Sequence, residues 1–188
     1  MNIVEIIKEE TIKLSEEYIK NSVDKFDFWN EHIKYVYENS IKLAKKYNAD
    51  LEIVSLGSFL HDIALIKNIG TKKDHHINGK IIAEEILNKY NYPKDKLERV
   101  LGCVYNHRSS KNTTNIEQLC VADADILAHF DNIDMLYNLA RNKYQISENE
   151  INNWIIDCLN KDYEDLSEKT KNFYKKDFEL LIKKLQQL

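Results

Sequence analysis

Apolar residues recur along this chain at helical spacing almost from end to end. Ile3, Ile6, Ile7, Leu14 and Tyr18 predict an amphipathic helix over about residues 3–20. Phe26, Phe28 and Trp29 supply aromatic bulk ahead of a second stripe, His32, Val36, Ser40, Leu43, Ala44 and Tyr47. A third helix runs from Leu51, with Asp50 placed to cap it and Leu56, Phe59, Leu60 and Ile63 on one face. Gly57, Ser58 and Ala64 lie in the same run and allow a neighbouring helix to come close.

Past a polar loop (Ile66 to Asp74), a helix opens at His75-His76 and ends near Tyr90. Pro93 suits the first turn of the next helix, Lys94 to His107, whose apolar side is Leu97, Val100, Leu101, Val104 and Tyr105. Another helix carries Leu119 to Phe130. From about Ile133 to Leu188, apolar stripes alternate with Lys/Glu runs, which predicts a helical framework or a dimerising surface.

Composition sharpens this picture. One Pro and four Gly in 188 residues leave little turn chemistry for a β-protein, so the expected class is all-α. With 43% hydrophobic and 31% charged residues the composition is globular. The length predicts one domain, residues 1–188, with a C-terminal helical extension. A net charge of −4 gives no general reason to expect nucleic-acid binding. Cys103, Cys120 and Cys158 have no CxxC spacing and suit a reducing compartment. Neither a signal peptide nor an apolar run of membrane-spanning length is visible, so the expectation is a cytoplasmic protein without a membrane partner.

The candidate chemistry lies in scattered polar residues on these stripes. His61-Asp62 ends an apolar run, where burying both groups is costly without a strong partner such as a divalent cation. His32 shares a stripe with core-facing residues. His75 and His76 open a helix, and one of the two can face inward. His107 closes another helix beside Arg108, one of only three arginines, with Lys111 nearby. Asp123 and Asp125 sit among Val121, Ala122, Ile126 and Leu127, and Asp125 shares a face with His129 at i, i+4. Single ligands on successive helices are how a bundle assembles a metal site in its core. Mixed imidazole and carboxylate ligation suits Mn, Fe, Co, Ni or Zn, with Mg less favoured. One metal site is expected, with room for a second.

The order His32, His61-Asp62, Asp125 resembles the H…HD…D signature of the HD superfamily of metal-dependent phosphohydrolases. Leu60-His61-Asp62-Ile63, His75 followed by Gly79, the Asn106-His107-Arg108 motif and the segment Ala122 to Phe130 carry the resemblance over about residues 28–130. On that reading, residues 1–27 and 131–188 are helical framework. The resemblance implies a helical-bundle domain with metal held in its core by His32, His61, Asp62 and Asp125, the last chosen by the family spacing with Asp123 as fallback. It also implies that His75 and His107 bind a second metal or the substrate phosphate. The chain lacks the paired histidines and the GYP segment of the cyclic-dinucleotide branch.

The expected activity is hydrolysis of a phosphomonoester, phosphodiester or pyrophosphate bond in a small phosphorylated substrate, a nucleotide being the leading candidate. Asp62 or another acid would orient the attacking water and accept its proton, while Arg108, Lys72 and Lys111 steady the anion. His129 would orient Asp125, and Asp123 would meet a cation or backbone donor on a neighbouring helix. The rival is a metal- and nucleotide-binding sensor without turnover.

Overall fold

The computed structural model describes residues 2–187, and no strand occurs among them. Ten α-helices follow one another: α1 (Ile3–Asn21), α2 (Lys34–Tyr47), α3 (Leu51–Leu60), α4 (Ile63–Ile66), α5 (His75–Lys89), α6 (Lys94–Asn106), α7 (Ile116–Asp131), α8 (Ile133–Asn138), α9 (Ile151–Asp165) and α10 (Glu168–Leu185). The all-α class is borne out.

At the centre is α3. Its cap is Asp50, which accepts from the backbone N–H of Glu52 (3.0 Å) and Ile53 (3.4 Å). The sequence predicts one apolar face for this helix, but every residue from Ile53 to Ala64 is buried. The difference has a packing cause: α1, α2, α6 and α7 all pack against α3, so no side is left for water. Gly57 makes the closest approach possible, since a Cβ there would stand 2.6 Å from Cys103 Cβ.

The second stripe starts earlier than periodicity suggests. Phe28–Ile33 forms a π-helical turn that runs directly into α2. Asp27 caps it through the N–H of Asn30 (3.0 Å), and Asn132 Nδ2 donates to the Glu31 carbonyl (2.7 Å). Tyr18 and Phe26 both meet the Phe28 ring edge-to-face at 4.9 Å, the aromatic seat expected there. A π-turn widens the helix by one residue and turns His32 inward, a distortion frequent at functional sites.

At the far end of α2, Asn48 takes a left-handed conformation (φ 58°) and its N–H bonds the Ala44 carbonyl. Pro93 occupies the N-cap of α6, one position before the first turn expected for it. Helices α2 and α7 pack side by side, α5 lies on α4 and α6, and α6 contacts α7. A second apolar cluster, Met135, Leu136, Ala140, Ile151, Ile155, Leu159, Phe178 and Leu185, unites α8 to α10. Tyr163 stacks on Phe178 at 4.1 Å, and Phe130 at the end of α7 meets Phe178 at 5.3 Å, which docks this cluster on the first. Among the described residues no helix is long and apolar enough to cross a membrane.

Candidate metal centre

Four side chains from three parts of the chain meet at the end of α3. His32 comes from the π-turn, His61 and Asp62 from the α3–α4 junction, and Asp125 from α7. His32 Nε2 lies 3.2 Å from His61 Nε2, 3.0 Å from Asp125 Oδ1 and 3.7 Å from Asp62 Oδ2. His61 Nε2 lies 3.5 Å from Asp62 Oδ2 and 3.7 Å from Asp125 Oδ1. Ligands about 2.1 Å from a common cation sit about 3.0 Å apart at octahedral right angles and about 3.4 Å apart in a tetrahedron. The observed separations fall around those values.

A second group adjoins the first. His75 Nε2 is 2.8 Å from His107 Nε2 and 3.2 Å from Asp62 Oδ1, and His107 Nε2 is 3.7 Å from the same oxygen. The ligating atoms of His32, His61 and Asp62, and those of Asp62, His75 and His107, each lie within 4.8 Å of one another. Asp62 thus turns one carboxylate oxygen to each group.

The imidazoles are held by a repeated local device. Nδ1 of His61, His75 and His107 lies 2.7 Å from the carbonyl three residues upstream, of Ser58, Lys72 and Val104 respectively. A carbonyl can only accept, so Nδ1 carries the proton and Nε2 presents its lone pair to the centre. His61 and His107 follow the last turns of α3 and α6, where terminal carbonyls lack intrahelical partners. Two bare nitrogens then face each other across 2.8 Å between His75 and His107. A proton, or a cation that both nitrogens ligate, would relieve the repulsion of the two lone pairs. The donor set fits a divalent metal.

The electrostatics agree. Burial opposes the charged form of Asp62, yet His61, His75, His32 and His107 outweigh it and hold its carboxyl well below the usual range. The same competition, with His32 foremost among the imidazoles, lowers Asp125. Burial disfavours an imidazolium at His32, but Asp125 and Asp62 overcome it and raise the pKa. Burial likewise opposes the charge on His75, and Asp62 reverses it. His107 falls to about 4, through burial and the neighbouring His61. The histidine side chains are 0–8% exposed, whereas Asp62 is 12% and Asp125 23% exposed, so the centre opens to solvent on its carboxylate side.

The remaining candidates separate cleanly. Asp123 points away from the centre, accepting from Ser167 N (2.8 Å), Ser167 Oγ and Thr170 Oγ1 (2.6 Å) at the start of α10. Burial raises its pKa against those bonds. Of the two adjacent histidines, His75 faces the centre, while the His76 ring meets Tyr105 at 5.3 Å. His129 does not bond Asp125, as the i, i+4 spacing led us to expect. Its Nδ1 instead pairs with Asp162 on α9 at 2.8 Å, and its ring stacks on His32 at 5.8 Å. Lys111 is turned to Asp165 (2.6 Å) and does not serve the centre. Lys72 is exposed, its carbonyl engaged by His75, while its ammonium acts electrostatically on His32. Arg108 donates to the Lys73 carbonyl (2.7 Å), which pins the loop before α5 to the end of α6.

Two features escaped sequence reasoning. Asp162 lies in a segment read only as framework, and nothing in its spacing marks it. The carbonyl partners do leave a trace: a histidine directly after a helical run, as at His61 and His107, sits where upstream carbonyls are free.

A family model described as "HD domain" matches residues 30–129, more than half of the chain, and the chain belongs to that family. No curated protein matches it. Among solved structures, an HD-superfamily hydrolase from Bacillus thuringiensis superposes with a TM-score of 0.64 at 20% identity, over 97% of this chain and 92% of that one. A Listeria innocua protein gives 0.62 at 20% identity, over 100% and 96%. A predicted HD superfamily hydrolase from an uncultured Thermotogales bacterium gives 0.58 at 20% identity, over 94% and 99%. At this identity the likeness establishes the shared fold.

Proposed function

We propose that this protein is a metal-dependent phosphohydrolase acting on a small phosphorylated substrate, with a nucleotide as the leading candidate, in the cytoplasm. The observation that carries the reading is Asp62, whose two oxygens face two imidazole groups at 3.2–3.7 Å. His32, His61, Asp125 and Asp62 Oδ2 would hold one divalent cation, and His75, His107 and Asp62 Oδ1 a second. When bound, such cations supply Lewis acidity toward a phosphoryl oxygen and toward water.

The chain's own residues do the rest. The three Nδ1–carbonyl bonds fix the ring planes before substrate arrives, so little reorganisation is needed. Asp62, which presents one oxygen to each group, would orient the attacking water and accept its proton. Burial of the imidazoles keeps bulk water on the carboxylate side, where the substrate enters. The exposed Lys72 ammonium acts electrostatically on His32 and would draw an anion toward this side of the molecule. The imidazole content favours Mn, Fe, Co, Ni or Zn over Mg.

The test is a metal-supplemented screen of nucleotides and other phosphoesters for released phosphate. Turnover that disappears on chelation supports the reading. Stoichiometric metal with nucleotide binding and no turnover would make the protein a sensor instead.

A further inference from the structure

Beside the metal centre lies a cleft of about 430 Å³ lined by His76, Tyr105, Asn106, Arg108 and Ser109. Its volume is in the range of small-ligand sites, roughly 300–1,000 Å³. We propose that this cleft is an anion subsite for a second phosphoryl group, so that the substrate is a phosphoester carrying two separated phosphates. The inference rests on reading the adjoining centre as a phosphoester site.

Its donors include the Arg108 guanidinium and the Ser109 hydroxyl, whereas Asn106 Nδ2 is already engaged by the Gly102 carbonyl and Gln118 Oε1. No carboxylate is among the five residues, in a chain whose net charge is −4. Of the three arginines, Arg99 pairs with Glu117 and Asp50, and Arg141 with Glu148. Arg108 has no carboxylate within ion-pair distance among the described residues, and one bond, from its NH1 to the Lys73 carbonyl, holds it in place. The rest of its guanidinium fork is open for a bidentate anion. Asp74, close by, is already occupied as an acceptor from Thr71 N (2.6 Å) and Thr71 Oγ1 (2.8 Å).

The neighbours of Arg108 add neutral donors. Ser109 Oγ accepts from the Lys111 N–H and leaves its own hydrogen free. Nδ1 of His76 is buried with no partner. A sealed imidazole nitrogen costs less bare than as an orphaned N–H, which puts the ring proton on Nε2.

Position links the cleft to the centre. The His76 ring lies 6.0 Å from that of His75, and His75 and Arg108 bond the consecutive carbonyls of Lys72 and Lys73. A ligand with one phosphate at the His75–His107 side would therefore bring a second group within reach of Arg108.

Calorimetric titration of the Mn-loaded full chain tests this with non-hydrolysable probes: propylphosphonate, the ethane-, propane- and butane-bisphosphonates, and 4-phosphonobutyrate. We expect at least one bisphosphonate to bind about tenfold or more tighter than propylphosphonate. Arg108→Gln and His76→Asn should each erase most of that preference while leaving metal content unchanged. The second variant does not touch the Lys73 bond, so it remains informative if the first disturbs the loop. No preference in the wild type, or a preference that survives in the folded variants, overturns the subsite while the centre's reading stands. Equal binding of 4-phosphonobutyrate overturns the phosphoryl assignment in favour of a carboxylate. Failure of propylphosphonate and every bisphosphonate to bind would overturn both the subsite and the phosphoester reading.

Discussion

Asp123 and Asp125, two residues apart on α7, point to opposite sides of the helix. Asp125 Oδ1 lies 3.0 Å from His32 Nε2, while an Asp123 oxygen accepts from Thr170 Oγ1 at 2.6 Å on α10. A step of two residues turns a helix by about 200°, so one carboxylate belongs to the centre and the other to the α7–α10 joint.

This division predicts different losses. Asp125→Ala should lose the cation held with His32 and His61 and fall to about one metal per chain, with a modest change in stability. Asp123→Ala should keep the metal but cost about 2–4 kcal/mol, because it leaves Ser167 and Thr170 donors unpaired in the interior. Metal analysis and chemical denaturation of the two purified variants check this. Metal lost from Asp123→Ala and kept by Asp125→Ala would reverse the assignment.

The two-group geometry predicts a stoichiometry. Wild type should bind two divalent ions per chain, His107→Ala close to one, and Asp62→Ala neither with useful affinity, because Asp62 serves both groups. Equilibrium dialysis against Mn²⁺ followed by elemental analysis reads all three.

His129→Ala should leave metal content unchanged, since its polar partner is Asp162. A variant that loses metal would show that the stack on His32, rather than a bond to Asp125, supports the centre.

Gly57 lets α3 and α6 pack closely. In Gly57→Ala the new Cβ would meet Cys103 Cβ at 2.6 Å and Val121 Cγ2 at 3.2 Å, both fixed in the core. Overpacking of this kind costs about 1–3 kcal/mol, which thermal or urea unfolding would detect.

Much of this architecture was legible in the residue pattern, for identifiable reasons. Helical stripes follow from burial on one side, so α1, α5 and α6 stand close to where periodicity puts them. Of the six side chains gathered at the centre, His32, His61 and Asp62 stand out as polar groups on apolar runs that need partners, whereas the choice of Asp125 over Asp123 and of His75 and His107 as further ligands comes from the family resemblance. The double engagement of Asp62 was not legible, because residue identity says nothing of where each carboxylate oxygen points. Nor was the His129–Asp162 pair, whose members are 33 positions apart and meet only once α9 docks on α7. The π-turn at Phe28–Ile33 was hidden because its one-residue widening barely disturbs a stripe. Burial of α3 on every side from Ile53 onward differs from the one-sided stripe the pattern predicts, since its small residues conceal how closely its neighbours approach.

The most direct test of the account is phosphate release from a phosphoester panel by the Mn-loaded wild type and by Asp62→Asn, measured at equal protein concentration. The account predicts turnover of at least one phosphoester by the wild type and a fall of at least about a hundredfold in the variant. No turnover by the fully metal-loaded wild type, or turnover that Asp62→Asn leaves intact, would contradict it.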